Sequence, residues 1–301
     1  MKRWIKRSAW GVVSLLALAC AAVIAGVQLG EQKMRRQIDV AVAPVLLPTD
    51  TVSIERGRYL FLSRGCTECH GANGAGKNVI DDGKGFLVHA PNITSGPGNV
   101  VAAYGVDDWT RTIRHGVKPD RRPAIVMPSE DYARLSNADL GALVAFLRQM
   151  PPQTGTGAVI QFPLPVRVLY GFGLIKDAAA KIDHSLPPPA AAPEGVTVQR
   201  GEYVANACIG CHGEHLSGGK IPGGPPDWPA AANLTPGKGS AMATYPDVQA
   251  FTAMLRTGKR PDGSEVSKVM PFGSLKEMND TDVQALHLHL KALPARDAGQ
   301  R

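Results

Sequence analysis

Six landmarks occur twice in this 301-residue chain, in the same order and at nearly the same separation. Arg56-Gly-Arg-Tyr59 returns as Arg200-Gly-Glu-Tyr203, and Cys66-Thr-Glu-Cys-His70 returns as Cys208-Ile-Gly-Cys-His212. Asn92-Ile-Thr94 is matched by Asn233-Leu-Thr235. Arg114-His-Gly116 with Pro119-Asp120 is matched by Arg256-Thr-Gly258 with Pro261-Asp262. Met127-Pro128 pairs with Met270-Pro271, and the segment from Leu135 to Pro151 pairs with that from Met278 to Pro294. The offsets are 144, 142, 141, 142, 143 and 143. So constant a spacing marks a tandem duplication, and any fold must let one plan close twice around the same Cys-x-x-Cys-His.

Each copy predicts three helices. The first precedes the cysteine pair, at 54–63 and 198–205. The second spans 106–114 and 246–256, and each ends at a glycine suited to a left-handed cap. The third follows Asn137 or Asp280 as cap residue, spans 138–149 and 281–292, and is stopped by proline. Leu140, Leu143, Val144 and Leu147 recur with helical period and mark a core face. Between the cysteine pair and the second helix lies a long segment dense in Gly, Pro and Asn. A loop of that length calls for something large to wrap.

Cys-x-x-Cys-His supplies the candidate. Two thiols one helical turn apart can each form a thioether with a haem vinyl group, and the following His can reach the iron. A shared four-cysteine zinc site would leave the His after each pair unexplained, and a thioredoxin-like pair has no need of it. Covalent haem c at Cys66 and Cys69, and again at Cys208 and Cys211, with His70 and His212 as proximal iron ligands, follows. Met is the usual partner of His in electron-carrying cytochromes c. Among eight Met, only Met127 and Met270 occupy matched positions, each before a proline. Met150 and Met254 lack a counterpart and suit core filling. His115, His215, His287 and His289 are likewise unmatched.

The formal charge is +7, but residues 1–36 carry seven Lys/Arg against Glu31, leaving +1 for the rest. The globular part therefore has no broad cationic face for nucleic acid. Ser8–Gly30 is uncharged and long enough to span a bilayer as a helix. Residues 1–36 are read as a membrane anchor, with a cleaved signal segment as the alternative. The segment Phe162–Ile175 is apolar or amphipathic. It suits contact with a partner subunit or the membrane surface, or packing between the copies.

From Ser53 to Pro294 the chain resembles class I c-type cytochromes in tandem. More narrowly, it resembles the cytochrome c subunits of bacterial membrane-bound dehydrogenases for alcohols, gluconate and aldehydes. Cys66–His70 with Gly71, Asn92-Ile-Thr94, Trp109, Arg114-x-Gly116-x-x-Pro119-Asp120, Met127-Pro128, Phe162-Pro-Leu-Pro-Val-Arg167 and the second set Cys208–Met270 carry the resemblance. It implies an all-α architecture: a membrane helix in 1–36, cytochrome c domains at 37–152 and 196–301, and a linker at 153–195. It further implies two haem c groups and a donor dehydrogenase subunit. The onward acceptor would be a downstream cytochrome, a terminal oxidase or quinone. Larger relatives have three haem motifs, and two here favour relay to a cytochrome or oxidase over quinone reduction. Because thioether ligation is completed outside the bacterial inner membrane, the haem domains are expected in the periplasm. A dihaem peroxidase needs an iron with a free or displaceable ligand, and the thiosulfate dehydrogenase type uses a cysteine ligand. Matched Met residues in both copies favour an electron carrier over either enzyme.

Replacing Cys66 and Cys69 by Ala is expected to halve the covalent haem content, and replacing Cys208 and Cys211 as well to abolish it. Intact mass and haem staining on denaturing gels check this; a chain that instead holds zinc and no haem would refute the assignment.

Overall fold

The computed structural model describes residues 2–225 and 227–301; Met1 of the N-terminal segment and Pro226 of the second copy lie outside them. The chain begins with α1 (Lys2–Arg35). The first copy then forms α2 (Thr51–Ser63), α3 (Cys66–His70), β1 (Lys77–Asp81), β2 (Leu87–Ala90), α4 (Val106–His115), α5 (Ser129–Tyr132) and α6 (Asn137–Gln149). The connecting segment adds β3 (Val159–Gln161) and α7 (Leu164–Gly171). The second copy forms α8 (Val198–Ala205), α9 (Ile209–His212), α10 (Val248–Thr257), α11 (Phe272–Leu275) and α12 (Asp280–Ala292).

The three expected helices appear in each copy. The closing helices start one residue earlier than predicted, because Ser136 and Asn279, not Asn137 and Asp280, supply the cap oxygens. Ser136 accepts from the Asp139 amide at 3.1 Å and Asn279 from the Asp282 amide at 2.8 Å. α4 and α10 end at Gly116 and Gly258, with φ of 64° and 71°, as a left-handed cap requires.

Two apolar cores result. In one, Leu60, Phe61, Trp109, Ile113, Leu140 and Leu143 pack together; in the other, Val204, Phe251, Leu255, Val283, Leu286 and Leu290 do. Each is built on the contact of a first helix with a closing helix, and the two backbones meet at a glycine. A Cβ on Gly57 would fall inside contact distance of the Ala142 carbonyl, and one on Gly201 inside that of the Ala285 carbonyl. The Arg-Gly-x-Tyr landmark thus keeps its glycine to let two helices touch.

The all-α expectation needs correction. β1, β2 and β3 form an antiparallel sheet in that order, with a bulge between Asn78 and Ile80. The β1–β2 turn is closed by Asp82, whose carboxylate accepts the Lys84 and Phe86 amides at 2.8 and 2.9 Å. β3 comes from the connecting segment, which therefore completes the first copy. After α6 the chain is clamped: Asn92 Nδ2 donates to the Gln153 carbonyl and the Gln153 amide to Thr94 Oγ1.

The segment Phe162–Ile175 does not lie between the copies. Its helix α7 packs on the end of α1. Arg167 pairs with Glu31 at 2.6 Å, and Arg36 grips Asp177 through two bonds of 2.8 and 2.7 Å. Tyr170 donates to the same carboxylate at 2.6 Å. The unmatched histidines are packed or unshared, as expected: His115 Nδ1 meets His184 Nδ1 at 3.1 Å, and His287 Nε2 meets the Tyr245 carbonyl at 3.1 Å.

Gly57→Ala or Gly201→Ala is expected to destabilise its own copy by about 1–3 kcal/mol, the usual cost of overpacking. Thermal unfolding followed by circular dichroism checks this, with Gly157→Ala, where the added methyl would meet only Val100 at 3.7 Å, as a control.

Candidate functional site

α3 places the first cysteine pair and His70 on one short turn. It is entered through Gly65 (φ 86°) and left through Gly71 (φ 72°), conformations that confine the turn to five residues. α9 with the preceding 206–208 turn does the same for Cys208, Cys211 and His212, and leaves through Gly213.

The two imidazoles are held alike. His70 Nδ1 lies 2.9 Å from the Pro91 carbonyl, and His212 Nδ1 lies 2.8 Å from the Ala232 carbonyl. With the Nδ1 proton given to a backbone carbonyl, Nε2 keeps its lone pair. Burial also lowers the pKa of both rings, favouring neutral imidazole. The carbonyls stand directly before Asn92 and Asn233, which gives the Asn-x-Thr landmark its purpose. Asn92 Oδ1 accepts from the Thr94 amide and hydroxyl at 2.8 Å each; Asn233 Oδ1 does so from Thr235 at 2.9 Å each. These four side chains are at most 1% exposed. The motif was visible in the sequence as a repeat, but its acceptor role depends on a backbone carbonyl that no residue type reports.

Met127 packs against the first core and Met270 against the second, each just before the proline that caps the following short helix. In the first copy Cys66, Cys69, His70 and Met127 line one cavity of about 390 Å³, together with Phe61, Ile93, Trp109, Leu143 and other apolar side chains. The volume lies in the range of cofactor pockets, about 300–1,000 Å³. Val79, Val88 and Ile160 of the sheet wall it on one side. The donor set and its apolar lining fit a haem: two thiols, an imidazole with a free Nε2 and a thioether. In the second copy the same donor types recur on matched elements. Burial pushes the Cys66 and Cys208 thiols up to about 12, so before any attachment they are neutral.

The two motifs face each other's methionine loops. Glu68, inside the first motif, accepts from Ser274 Oγ of α11 at 3.0 Å. Asp131 of α5 lies against Gly210 inside the second motif, so close that a Cβ there would stand 2.7 Å from Oδ1. Around these contacts the copies exchange tyrosines. Tyr203 donates to Asp139 at 2.7 Å, and Asp139 also holds Arg56 at 2.9 and 2.8 Å. Tyr59 donates to Asp282 at 2.5 Å, and Asp282 also holds Arg200 at 2.7 Å. Arg64, whose counterpart is Asn206, adds a third partner to Asp282 at 2.9 Å, with side chains only 5% and 1% exposed. Burial alone would raise the Asp282 carboxyl; Arg64, Tyr59 and Arg200 outweigh it and hold it below the usual range. Sequence inspection found Arg56 and Tyr59 as repeats and missed this use of them. Their signal was a charged and aromatic pair, repeated within a helix that did not need it.

Residues 54–151 match the family model described as cytochrome c. Over 278 residues the chain is 26% identical to the fructose dehydrogenase cytochrome subunit of Gluconobacter japonicus, covering 82% of this chain and 54% of that protein. It is 26% identical over 275 residues to the gluconate 2-dehydrogenase cytochrome c subunit of Pantoea cypripedii, covering 82% and 61%. A diheme cytochrome c-type protein of Cereibacter sphaeroides is 27% identical over 287 residues, covering 84% and 90%. The chain thus spans little more than half the length of these two dehydrogenase subunits and nearly all of the diheme protein. Residues 54–151 are a cytochrome c domain, which implies covalently bound haem c, and the chain is a relative of the cytochrome c subunits of dehydrogenases.

Asn92→Ala is expected to cost about 1–3 kcal/mol through the amide and hydroxyl of Thr94 left without an acceptor. It is also expected to perturb the absorption of haem held at His70 alone; Asn233→Ala would do the same for haem held at His212. Absorption and magnetic circular dichroism of the two variants check the pairing of each Asn with its own His.

Proposed function

We propose that this chain is a dihaem electron-transfer subunit that accepts electrons from a partner dehydrogenase and passes them onward. The observation that carries the proposal is the repetition, in both copies, of one arrangement: a cysteine pair on a short turn, an imidazole fixed by a backbone carbonyl, and a methionine on a proline-capped loop. Cys66 and Cys69 would attach one haem and Cys208 and Cys211 the other. His70 with Met127, and His212 with Met270, would be the axial ligands. Such a group supplies one-electron chemistry at a potential set by its ligands and surroundings.

The protein's own part is to hold the ligands and keep water away. The carbonyls of Pro91 and Ala232 orient the imidazoles, the prolines after Met127 and Met270 stiffen the thioether loops, and the apolar cavity excludes solvent. If a His and a Met side chain hold each iron in this way, no coordination position would be left for a small-molecule substrate. This favours a carrier over an enzyme. The matched copies support cytochrome c domains at 37–152 and 196–301, joined by residues 153–195.

The dehydrogenase relatives suggest the donor. The acceptor would be a downstream cytochrome, a terminal oxidase or quinone. α1 would anchor the chain in the bacterial inner membrane with the haem domains in the periplasm. The engagement of α1 with α7, and the ion pair of Arg36 with Asp177, favour retention over cleavage, since a cleaved leader would have no folded partner.

Met127→Ala and Met270→Ala are each expected to remove half of the near-infrared band of Met-ligated ferric haem and open one iron to carbon monoxide. Met254→Ala, in the second core, is expected to cost about 2–5 kcal/mol of stability and leave the band intact. If Met254→Ala removed the band and Met270→Ala did not, the ligand assignment would fall.

A further inference from the structure

We propose that α7 is an interfacial helix, lying along the outer surface of the bilayer with its Leu169–Phe172 flank in the boundary between headgroups and acyl chains. The inference rests on the reading of α1 as a membrane-spanning helix and adds a second, non-spanning membrane contact to it.

The crossing of α7 and α1 carries the case. A Cβ on Gly26 would meet the side chains of Val168 and Phe172, both at 2.9 Å. One on Gly30 would meet the Arg167 carbonyl at 2.8 Å and the Gly171 amide at 3.6 Å. Val168 and Phe172, the residue that caps α7, are one turn apart, yet both meet Gly26; Arg167 and Gly171 are one turn apart, yet both meet Gly30. Were the helices aligned, each glycine would meet a different turn of α7. The axes therefore cross steeply, and the glycines let the backbones touch. A helix that crosses a membrane-spanning helix steeply runs in the membrane plane.

Depth and polarity agree. Ser8–Gly30 is 23 uncharged residues, about 34 Å of helix against a hydrocarbon core of about 30 Å. Gly26 and Gly30 thus sit where that core gives way to headgroups. Gly26 lies one turn deeper, so the Val168–Phe172 flank of α7 faces the bilayer. Continuing round the helix from that flank, at 3.6 residues per turn, brings Pro165 and Leu169. Continuing from the Arg167–Gly171 flank brings Tyr170. The chemistry follows the same division. Leu169 and Phe172 are 38% and 50% exposed. Arg167 instead bonds Glu31, and Tyr170 is buried against Asp177 and Arg36 on the water side. An apolar flank facing lipid and a polar flank facing the folded domain is the signature of a helix that lies on a membrane. Arg36, Asp177 and the 178–180 turn, packed on Gly116, then tie this crossing to the first copy. Two membrane contacts in place of one would fix the tilt of the first copy over the bilayer.

The test uses the full chain with both haems, reconstituted in vesicles of phosphatidylethanolamine and phosphatidylglycerol. Cys20→Ser leaves no free thiol, and a single nitroxide label is placed at Leu169→Cys. Leu16→Cys on α1 serves as the lipid reference and Leu288→Cys on α12 as the water reference. Collision rates with oxygen and with a water-soluble nickel chelate are compared. The expected result is a ratio of oxygen to nickel collisions at 169 several-fold above that at 288 and approaching that at 16. A lipid-like ratio at 16 with a water-like ratio at 169 would overturn the interfacial helix while leaving the anchor standing. A label at 169 shielded from both reagents would mean a protein surface covers the helix, and would overturn it too. A water-like ratio at 16 would remove the anchor reading, and the interfacial helix with it. Retention of the haem spectrum in each labelled variant shows that the fold has survived.

Discussion

Two buried carboxylates hold the copies together, and each depends on a tyrosine from the other copy. Asp139 binds its own Arg56 and accepts Tyr203; Asp282 binds its own Arg200 and accepts Tyr59. Leaving either carboxylate without its partners would strand a charge below the surface, at a cost of about 3–5 kcal/mol. The same carboxylates sit in the first turn of the closing helices α6 and α12, where negative charge suits the helix dipole. One pair of residues therefore ends a core helix, neutralises the Arg-Gly-x-Tyr helix against it, and docks the neighbouring copy. The Cys-x-x-Cys-His motifs then come to rest on each other's methionine loops, because Glu68 meets Ser274 and Asp131 meets Gly210 across the same boundary.

The correspondence is not complete. Arg64 adds a third arginine to a cluster with two carboxylates, and its position in the second copy is held by Asn206. Its guanidinium lies 5.7 Å from the centre of the Tyr59 ring, which itself donates to the carboxylate that Arg64 binds. The sheet is a second asymmetry. β1 to β3 wall the first cavity, with a strand borrowed from beyond α6, while among the described residues the second copy has only isolated bridges at Gly219–Ala231, Asn233–Ser240 and Lys259–Glu265. One plan is followed twice, and the surroundings of the two sites differ.

What could be inferred from sequence follows the range of the interactions. Helices whose identity depends on period and caps appear where expected; the closing helices start one residue early because Ser136 and Asn137, or Asn279 and Asp280, are both chemically fit to cap, and the helix expected from Pro246 starts at Val248, capped by Asp247. The cysteine pairs, their histidines and the matched methionines were evident because spacing along the chain is itself the signal. The sheet was not: β1 and β2 lie in a segment whose glycines and aspartates argue for turns, and β3 joins from about 70 residues away. Nor was the seat of α7, since Gly26 and Gly171 are adjacent only once the chain has folded. The tyrosine exchange stands between these cases. Its residues were conspicuous as repeats, and only the geometry reveals that each serves the opposite copy.

That exchange has a consequence for assembly. Each copy carries a tyrosine to give and an aspartate to receive, so the contact surface of either is self-complementary about a two-fold axis, the form found in isologous homodimers. A surface with so many ionised groups gains modestly from apolar burial, and two free halves would have to find each other from dilute solution. Joined in one chain, they meet intramolecularly, and their encounter no longer depends on bulk concentration. Covalent continuity thus stands in for affinity: the interface can remain polar without the two halves drifting apart.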